Sequence, residues 1–539
     1  SSSSSSSCAA CPMNIQCAYH GWEFEGSKGA CTKIPQQPLR TEANGRTSKP
    51  SQATGVQSYP VRVMAGLIFV WADPDSYEDV GESIPLPVSE SLCEFYNDRG
   101  PDTVYQRDLP YGYELLGENL LDLAHLPYAH HGVGGLNRFE HGRPLQFRML
   151  SNTEKSREMV LGTDGGDGSA ASAVLKPLYE VELSDAASSD PLFLSMKSTR
   201  GEDAVPNGAT LRVGFYQPTH VRYTRKIPSS GGKPGLQTQV VLYITPTSST
   251  KSRVFLFNIF ARDKAKPEEP ASDEPPPRRL AATLSASLQK LVLKILLATK
   301  FSPLNSHMLS HDIFDGDGIF LAKQGDRMQR GGGTKSSRPK EGSSSSRSSS
   351  KNNDHRPLTY KDYQTPSASD ALMNAFRRYV TEAAKRTGDP TLVDAVQPTR
   401  VAYDTDRFLR SELLDRYESH TKDCKVCTAA LEKGRARERA LGLVHTALVG
   451  ASGASFVTAL IGWIGSRWLA AAAAATGAAA ASSSTTAMLL DCSKGVAKIA
   501  LGMALATGGF ARLVSKFREK VATSNQKFFF VDYVHAERS

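Results

Sequence analysis

The segment Asn119-Leu-Leu-Asp122-Leu-Ala-His125-Leu-Pro127-Tyr-Ala-His130 constrains this chain more than any other stretch. Two imidazoles five residues apart, with a carboxylate three residues before the first, supply donors for a site of two His and one carboxylate. Such a site occupies one face of a ferrous ion and leaves the remaining positions open. On a straight helix, residues five apart point about 140° apart around the axis, too far to share one ion. Pro127 lies between the two histidines and removes a helical hydrogen bond. A kink or wide turn is therefore expected there, letting His125 and His130 converge. Asn119, Asp122 and His125 recur at intervals of three and are expected to stack along one side of the same helix. A capped surface helix with chance histidines is the competing reading.

A second motif narrows the choice. Cys17-Ala-Tyr-His20-Gly-Trp is half of the ligand set of a Rieske [2Fe–2S] cluster, in which two His replace two Cys on one iron. The glycine after His20 permits a tight turn that brings backbone amides toward cluster sulfurs. Alone, a Cys-x-x-His is weak. Followed about a hundred residues later by Asp122, His125 and His130, it implies a cluster domain first and a mononuclear iron domain second.

The run Arg107-Asp-Leu-Pro-Tyr-Gly-Tyr, then Glu118-Asn119, then His125-Leu-Pro-Tyr-Ala-His130-His131 resembles the pheophorbide a oxygenase group of Rieske oxygenases. That group takes in a Rieske subunit of the chloroplast inner-envelope import translocon and a protochlorophyllide-oxidising relative. Cys424-Lys-Val-Cys427 and the closing Lys527-Phe-Phe-Phe-Val-Asp-Tyr are similar to its membrane-anchored branch. The pattern of this family begins with a Cys-x-His some sixteen or more residues before the position of Cys17. Here that stretch holds Ser1 to Ser7, Cys8 and Cys11-Pro-Met13, and the chain starts with Ser. A truncated N-terminus is expected, with Cys17 and His20 as the visible half of the cluster ligands.

The resemblance implies a mechanism and a set of roles. Electrons come from reduced ferredoxin through the [2Fe–2S] cluster to a mononuclear non-haem Fe(II) held by His125, His130 and a distant carboxylate. The candidate region is Phe314-Asp315-Gly-Asp317-Gly-Ile-Phe-Leu-Ala-Lys-Gln324. A Gln seven residues on points to Asp317, with Asp315 the alternative; either could be a turn aspartate, since Asp-Gly is a common turn pair. Asp122 would bridge cluster and iron histidines in a homotrimer, accepting a ligand N–H and fixing ring orientation. Asn119 would stand near the open face. Oxygen and a chlorophyll-derived tetrapyrrole are the implied substrates, pheophorbide a with ring opening first. Another chlorophyll intermediate, protochlorophyllide or chlorophyllide, is the alternative, as is a redox-sensing import-translocon subunit. A chloroplast membrane, inner envelope or thylakoid, with the soluble part facing the stroma, is the implied location.

With 539 residues, the chain has room for two or three domains and an ample core. Its net charge of +9 raises nucleic acid as a partner. No recognition motif accompanies the charge, so no nucleic acid is expected. The eight cysteines are scattered, unlike a small disulfide scaffold. The expected fold class is α+β. A partial Rieske β domain at 1–75 carries strand-like runs at Tyr59-Pro-Val-Arg-Val63 and Gly66-Leu-Ile-Phe-Val-Trp71. A catalytic domain at 95–415 sets helices against an antiparallel sheet, with strands at Gln239 to Ile244 and Val254 to Phe260. Leu280 to Thr299 reads as an amphipathic helix. The segments 264–277 and 325–356 are too poor in apolar residues to offset the entropy of ordering and are expected to be disordered insertions.

A Cys-x-x-Cys segment (416–435), an anchor (440–514) and a tail (515–539) complete the expected order. Ala440 to Ser466 carries no Asp, Glu, Lys or Arg apart from its flanks, enough to cross a bilayer core of about 30 Å. A second apolar segment runs from Val496 to Val514, interrupted by Lys498. Basic flanks at both outer ends, Lys433 to Arg439 and Arg512 to Lys520, favour one side of a membrane and hence a hairpin of two spans. A buried helical pair in a soluble domain is the other reading. Cys424 and Cys427 read as a reversible dithiol, its thiolate favoured by Lys422 and Lys425 and, by resemblance, controlled by thioredoxin. Half of a zinc site is less favoured, for want of a second Cys pair or a nearby His-x-x-His. A structural thiol pair is the bland option.

Overall fold

The computed structural model describes residues 14–37, 55–152, 161–162, 174–175, 177–230, 235–262, 302–330, 365, 367–387, 410–475 and 484–532. The expected helix at Leu280 to Thr299, the insertion at 264–277 and Cys8 to Met13 lie outside the described residues. The chain forms two compact units, one of residues 1–101 with 153–177 and one of residues 102–152 with 178–539.

In the first unit, β1 (Asn14–Gln16), β2 (Glu23–Glu25) and β3 (Cys31–Lys33) form an antiparallel sheet. β4 (Val61–Met64) and β5 (Leu67–Val70) form a hairpin. Its two-residue turn, Ala65-Gly66, has positive φ at both positions, the backbone twist that suits right-handed strands. Gly66 also passes so close to the Tyr96 ring that a Cβ would lie 2.4 Å from its hydroxyl. Tyr96 belongs to α1 (Glu90–Arg99), which opens on Ser89, whose hydroxyl accepts the Leu92 N–H.

The second unit is built on seven antiparallel strands. Their spatial order is β6 (Tyr105–Leu109), β14 (Lys251–Arg262), β13 (Leu236–Ser248), β12 (His220–Ile227), β11 (Thr210–Tyr216), β10 (Tyr179–Leu183) and β7 (Phe147–Asn152). The two-residue strands β8 (Leu161–Gly162) and β9 (Val174–Leu175) pair with each other in the first unit. Alternation along β11 buries Leu211, Val213 and Phe215, and the same face continues through Val221 on β12. Against this face pack α2 (Tyr113–Leu121), α7 (Pro303–Arg330) and α8 (Ala371–Thr387), through Leu115, Leu116, Phe314, Phe376 and Val380. Gly117 is where α2 meets α8: a Cβ there would sit 2.1 Å from the Phe376 ring. The expected helix-on-antiparallel-sheet domain is present. Smaller helices between these elements are α3 (Leu126–Ala129), α4 (Arg138–His141), α5 (Ala186–Ser189) and α6 (Pro191–Arg200).

α7 corrects two expectations. Asp315-Gly-Asp317-Gly is helix interior, not a turn. The helix also continues to Arg330, so the first six residues of the expected insertion at 325–356 are ordered. Pro303 begins it, where a missing N–H costs nothing, and the Ser302 hydroxyl accepts the Asn305 N–H.

After α9 (Arg410–Leu413) and α10 (Arg416–Ser419) come two long helices, α11 (Lys425–Ala475) and α12 (Ser484–Gln526). Both are long and apolar enough to cross a membrane. They run antiparallel: Asn525 donates to Glu438, and Ser452 donates to the Ala504 carbonyl. Gly462 meets Ala497. Small residues at the seam let the two backbones approach. Their outward faces expose Leu443, Phe456, Ile461, Trp463, Ile499 and Leu505. The antiparallel pairing sets the two basic flanks side by side at one end. There the expected tail is also helical as far as Gln526. Beyond it the chain folds back: Arg416 donates its backbone N–H to the Phe529 carbonyl, and Tyr417 stacks on the Phe529 ring.

Candidate metal centre

The loop after α2 is where the sequence reading needs its main correction. Asn119, Asp122 and His125 do not share one helix. α2 ends at Leu121, and Asp122 takes an extended conformation (φ −96°, ψ 106°). The cause is local: the Asp122 carboxylate accepts the Ala124 N–H, a side-chain bond that competes with the next helical turn. A separate short helix, α3, then starts with Pro127 in its first turn, where proline is tolerated. Two helix ends and a turn, rather than a kinked helix, bring His125 and His130 together.

Their Nε2 atoms lie 3.3 Å apart. Asp317, from the middle of α7, reaches between them, with Oδ1 3.6 Å from His125 Nε2 and 3.4 Å from His130 Nε2. His130 and Asp317 are buried, and His125 is half-buried at the edge of a cleft. An octahedral ion with bonds of about 2.1 Å holds neighbouring donors about 3.0 Å apart. The three donors therefore form one triangular face, a few tenths of an ångström wider than an ion would draw it. That convergence of two imidazoles and one carboxylate, open on the cleft side, fits a mononuclear iron.

Two further residues set the site's electrostatics. Asp122 Oδ2 lies 3.6 Å from His125 Nδ1, the ring nitrogen that points away from the triangle. Burial works against ionisation of Asp122, but His125 and the backbone N–H groups of Ala124 and His125 outweigh it and hold its carboxyl below the usual range. His125 is itself pulled above its ordinary range, burial being overcome by Asp317 and Asp122. Asn119 Nδ2 stands 3.3 Å from His125 Nε2. Burial pushes Asp317 up to about 6, partly offset by His125 and Asn119. The cleft beside the triangle measures ≈ 490 Å³ and is lined by Asn119, Tyr128, Arg138, Phe320, Gln324 and Met373, among others. Its floor carries a bidentate ion pair between Glu118 and Arg377, at 2.6 and 2.7 Å.

Asp315 has a different place. It is fully buried between Arg107 (2.6 Å) and Arg416 (2.7 Å). Two residues along a helix point about 200° apart, so Asp315 and Asp317 leave α7 from opposite sides. Sequence reasoning did not foresee these two arginines as its partners.

Cys17 and His20 sit on the turn between β1 and β2, both exposed. The turn is closed by Gly21 (φ +72°), whose N–H meets the Cys17 carbonyl, and by the Cys17 N–H to the Trp22 carbonyl. Backbone N–H groups of Tyr19 and His20 hold the Cys17 thiol below its usual range.

Cys424 and Cys427, at the root of α11, call for a second correction. Two histidines do complete a four-donor set. His307 Nδ1 is 3.4 Å from Cys424 Sγ and 3.6 Å from Cys427 Sγ, and His420 Nε2 is 3.3 Å from Cys427 Sγ. All four donor atoms lie within 4.8 Å of one another. Contact with Cys427 and both imidazoles, rather than with Lys422 or Lys425, lowers the Cys424 thiol. His420 precedes Cys424 by four residues, and that spacing was the available signal. His307, 117 residues upstream, could not have been matched to it.

These geometries define a protein with a Rieske-type cluster turn and a two-His, one-carboxylate centre on an antiparallel sheet. The comparisons agree. A profile of the Rieske [2Fe-2S] domain matches residues 4–60, and the profile described as pheophorbide a oxygenase matches residues 215–335. Over those segments the chain is similar to pheophorbide a oxygenase-like Rieske oxygenases, a class that carries a [2Fe–2S] cluster and a mononuclear non-haem iron. It is 35% identical to the chloroplastic pheophorbide a oxygenase of Oryza sativa subsp. japonica over 34% of this chain and 32% of that protein. Flavonoid 8-hydroxylase 2 of Ocimum basilicum is 25% identical over 85% of this chain and 70% of that protein. Protein TIC 55 of Arabidopsis thaliana is 34% identical over 29% and 26%. The match thus spans about a third of the rice protein. Among solved structures, dicamba monooxygenase covers 70% of this chain and 82% of its own, with 16% identity and a TM-score of 0.34.

Proposed function

We propose that this chain oxygenates a chlorophyll-derived tetrapyrrole, pheophorbide a first, with His125, His130 and Asp317 holding the iron. The observation that carries the reading is the convergence of those three donors at the edge of a cleft. When bound, ferrous ion supplies oxygen activation and the [2Fe–2S] cluster supplies electrons, with Cys17 and His20 among the cluster's ligands. His130 and Asp317 shield one side of the ion from water. His125, whose Nδ1–H faces the Asp122 carboxylate, is oriented and made more basic by it. Asn119 stands beside the open positions and can donate to a group placed there. Phe320 and Met373 offer apolar area to a flat ring system, while Arg138 and Gln324 offer polar groups for its carboxylate and carbonyl oxygens.

The chlorophyll-related relatives support that substrate class, and reduced ferredoxin is the proposed electron donor. The chloroplastic relatives support a chloroplast membrane, and the basic end of the hairpin supports a stromal side for the catalytic unit. The long overlap with a flavonoid 8-hydroxylase favours a second reading: hydroxylation of a smaller phenolic ring in the same cleft. Oxygen uptake and product mass, measured with pheophorbide a, chlorophyllide a, protochlorophyllide and a flavone, decide between them. Uptake with the tetrapyrroles alone is the expected result. Turnover of the flavone alone selects the second reading. No substrate-dependent uptake by iron-loaded, electron-supplied protein would overturn both.

A further inference from the structure

A second cluster of metal-ligating side chains stands apart from His125, His130 and Asp317. We propose that His307, His420, Cys424 and Cys427 bind one zinc ion in a closed tetrahedral site that fastens the root of the hairpin to α7. The distances carry this. Zinc bonds of about 2.3 Å to sulfur and about 2.0 Å to nitrogen, at tetrahedral angles, separate sulfur from nitrogen by about 3.5 Å. The three sulfur–nitrogen contacts are 3.3, 3.4 and 3.6 Å. They match three edges of such a tetrahedron, and all four donor atoms lie within 4.8 Å of one another, about 1 Å beyond its longest edge.

Charge and orientation agree. Two thiolates and two neutral imidazoles cancel the charge of a divalent ion, so the filled site buries no net charge. His307, His420 and Cys427 are buried, and Cys424 is half-buried, which leaves no open position for a substrate. His420 directs its other ring nitrogen, Nδ1, at the Gln106 carbonyl of β6. That contact fixes the tautomer with an N–H on Nδ1 and leaves the Nε2 lone pair facing the sulfur, the usual arrangement behind a metal-bound histidine. Among the described residues His307 Nε2 is buried with no hydrogen-bond partner, and the ring meets the two sulfurs through Nδ1. Two thiol hydrogens are poor compensation for this burial.

A two-iron cluster with the same residue types is excluded by the same distances. It would hold the cysteines on one iron and the histidines on the other, whereas here each imidazole already touches a cysteine sulfur. The site also ties four elements at one point: α7 through His307, the segment after α10 through His420 and Cys424, the first turn of α11 through Cys427, and β6 through Gln106.

The test uses the full chain in detergent, purified under reducing conditions without added metal. Elemental analysis is expected to find one zinc per chain in addition to iron. Cobalt exchanged into the site should give the intense visible bands of a tetrahedral ion with thiolate charge transfer. Cys427→Ser and His307→Ala should each lose that equivalent of zinc, while His125→Ala retains it. Should those variants fail to fold, the unaltered protein still answers. Alkylation of half-exposed Cys424 should be slow and should accelerate at least tenfold when a chelator strips the zinc. Absence of zinc with no cobalt spectrum, or rapid alkylation that a chelator does not change, would overturn the site. So would a Cys424–Cys427 disulfide that forms and is reduced again while the metal content stays constant.

Discussion

Two faces of one helix, α7, serve two different ends. The face carrying Asp317 and Leu321 turns to the core and to the histidine pair, and Asp317 there reaches a cleft. On the other side Asp315 meets Arg107 and Arg416, and nearer the N-terminus His307 and His311 stand with His420 and the cysteines, groups that are buried apart from half-buried Cys424. The first has three donors and room beside them; the second has four and none. In metal chemistry that difference separates sites that react from sites that hold. It teaches that a carboxylate's neighbours, not its motif, assign its work: Asp315 and Asp317 are two residues apart, yet one meets two guanidinium groups and the other two imidazoles.

The largest effect should come from the open face. His125→Ala is expected to abolish iron binding and turnover while leaving the fold intact. Full iron retention, measured by elemental analysis, would remove His125 from the site. On the closed face, Asp315→Ala strands the buried Arg107 guanidinium and leaves Arg416 with Asp312, a loss of about 3–5 kcal/mol by the usual cost of breaking a buried pair. Thermal or denaturant unfolding reads this directly. A variant as stable as the parent would show that the enclosed charges contribute nothing, and the contrast between faces would blur.

A smaller change should follow from Asp122→Asn. It keeps size and the Asx turn but loses the negative charge facing His125 Nδ1, and should lower iron affinity or turnover about 10–100-fold. Unchanged kinetics would leave Asp122 as a helix stop and no more. The smallest effect is a dependence on pH in the iron-free protein. Asp317 is raised to about 6 by burial, so between its ordinary value near 3.8 and about 6 the folded state binds more protons than the unfolded one. Its contribution to stability therefore falls as pH rises through that window and stays low above it. Iron, which needs the carboxylate ionised, should raise the unfolding temperature more at pH 7.5 than at pH 5. Asp317→Asn should reduce that difference and leave the part due to deprotonation of His125, and a benefit from iron that is independent of pH would contradict it.

Much of the open site was legible because its donors lie close in sequence or carry a local signature. His125, His130 and Asp122 fall within nine residues, and Gln324 marked Asp317 over Asp315. The expectation of one continuous helix failed because the Asp122 carboxylate competes for the backbone at Ala124, a bond that spacing alone does not reveal. The closed site was only half legible. Cys424 and Cys427 announced themselves, but His307 reaches them across 117 residues of chain, and no periodicity encodes that contact.

By itself, then, the sequence determined the local chemistry. It set which residues can bind metal, where apolar alternation makes strands, where Ser302 and Pro303 start a helix, and where two apolar runs with basic flanks make a hairpin. Tertiary structure alone decided which distant donors meet, because a helix presents residues to several directions at once and only packing chooses their partners. α7, laid between the sheet and the hairpin root, sent Asp317 one way and Asp315 the other.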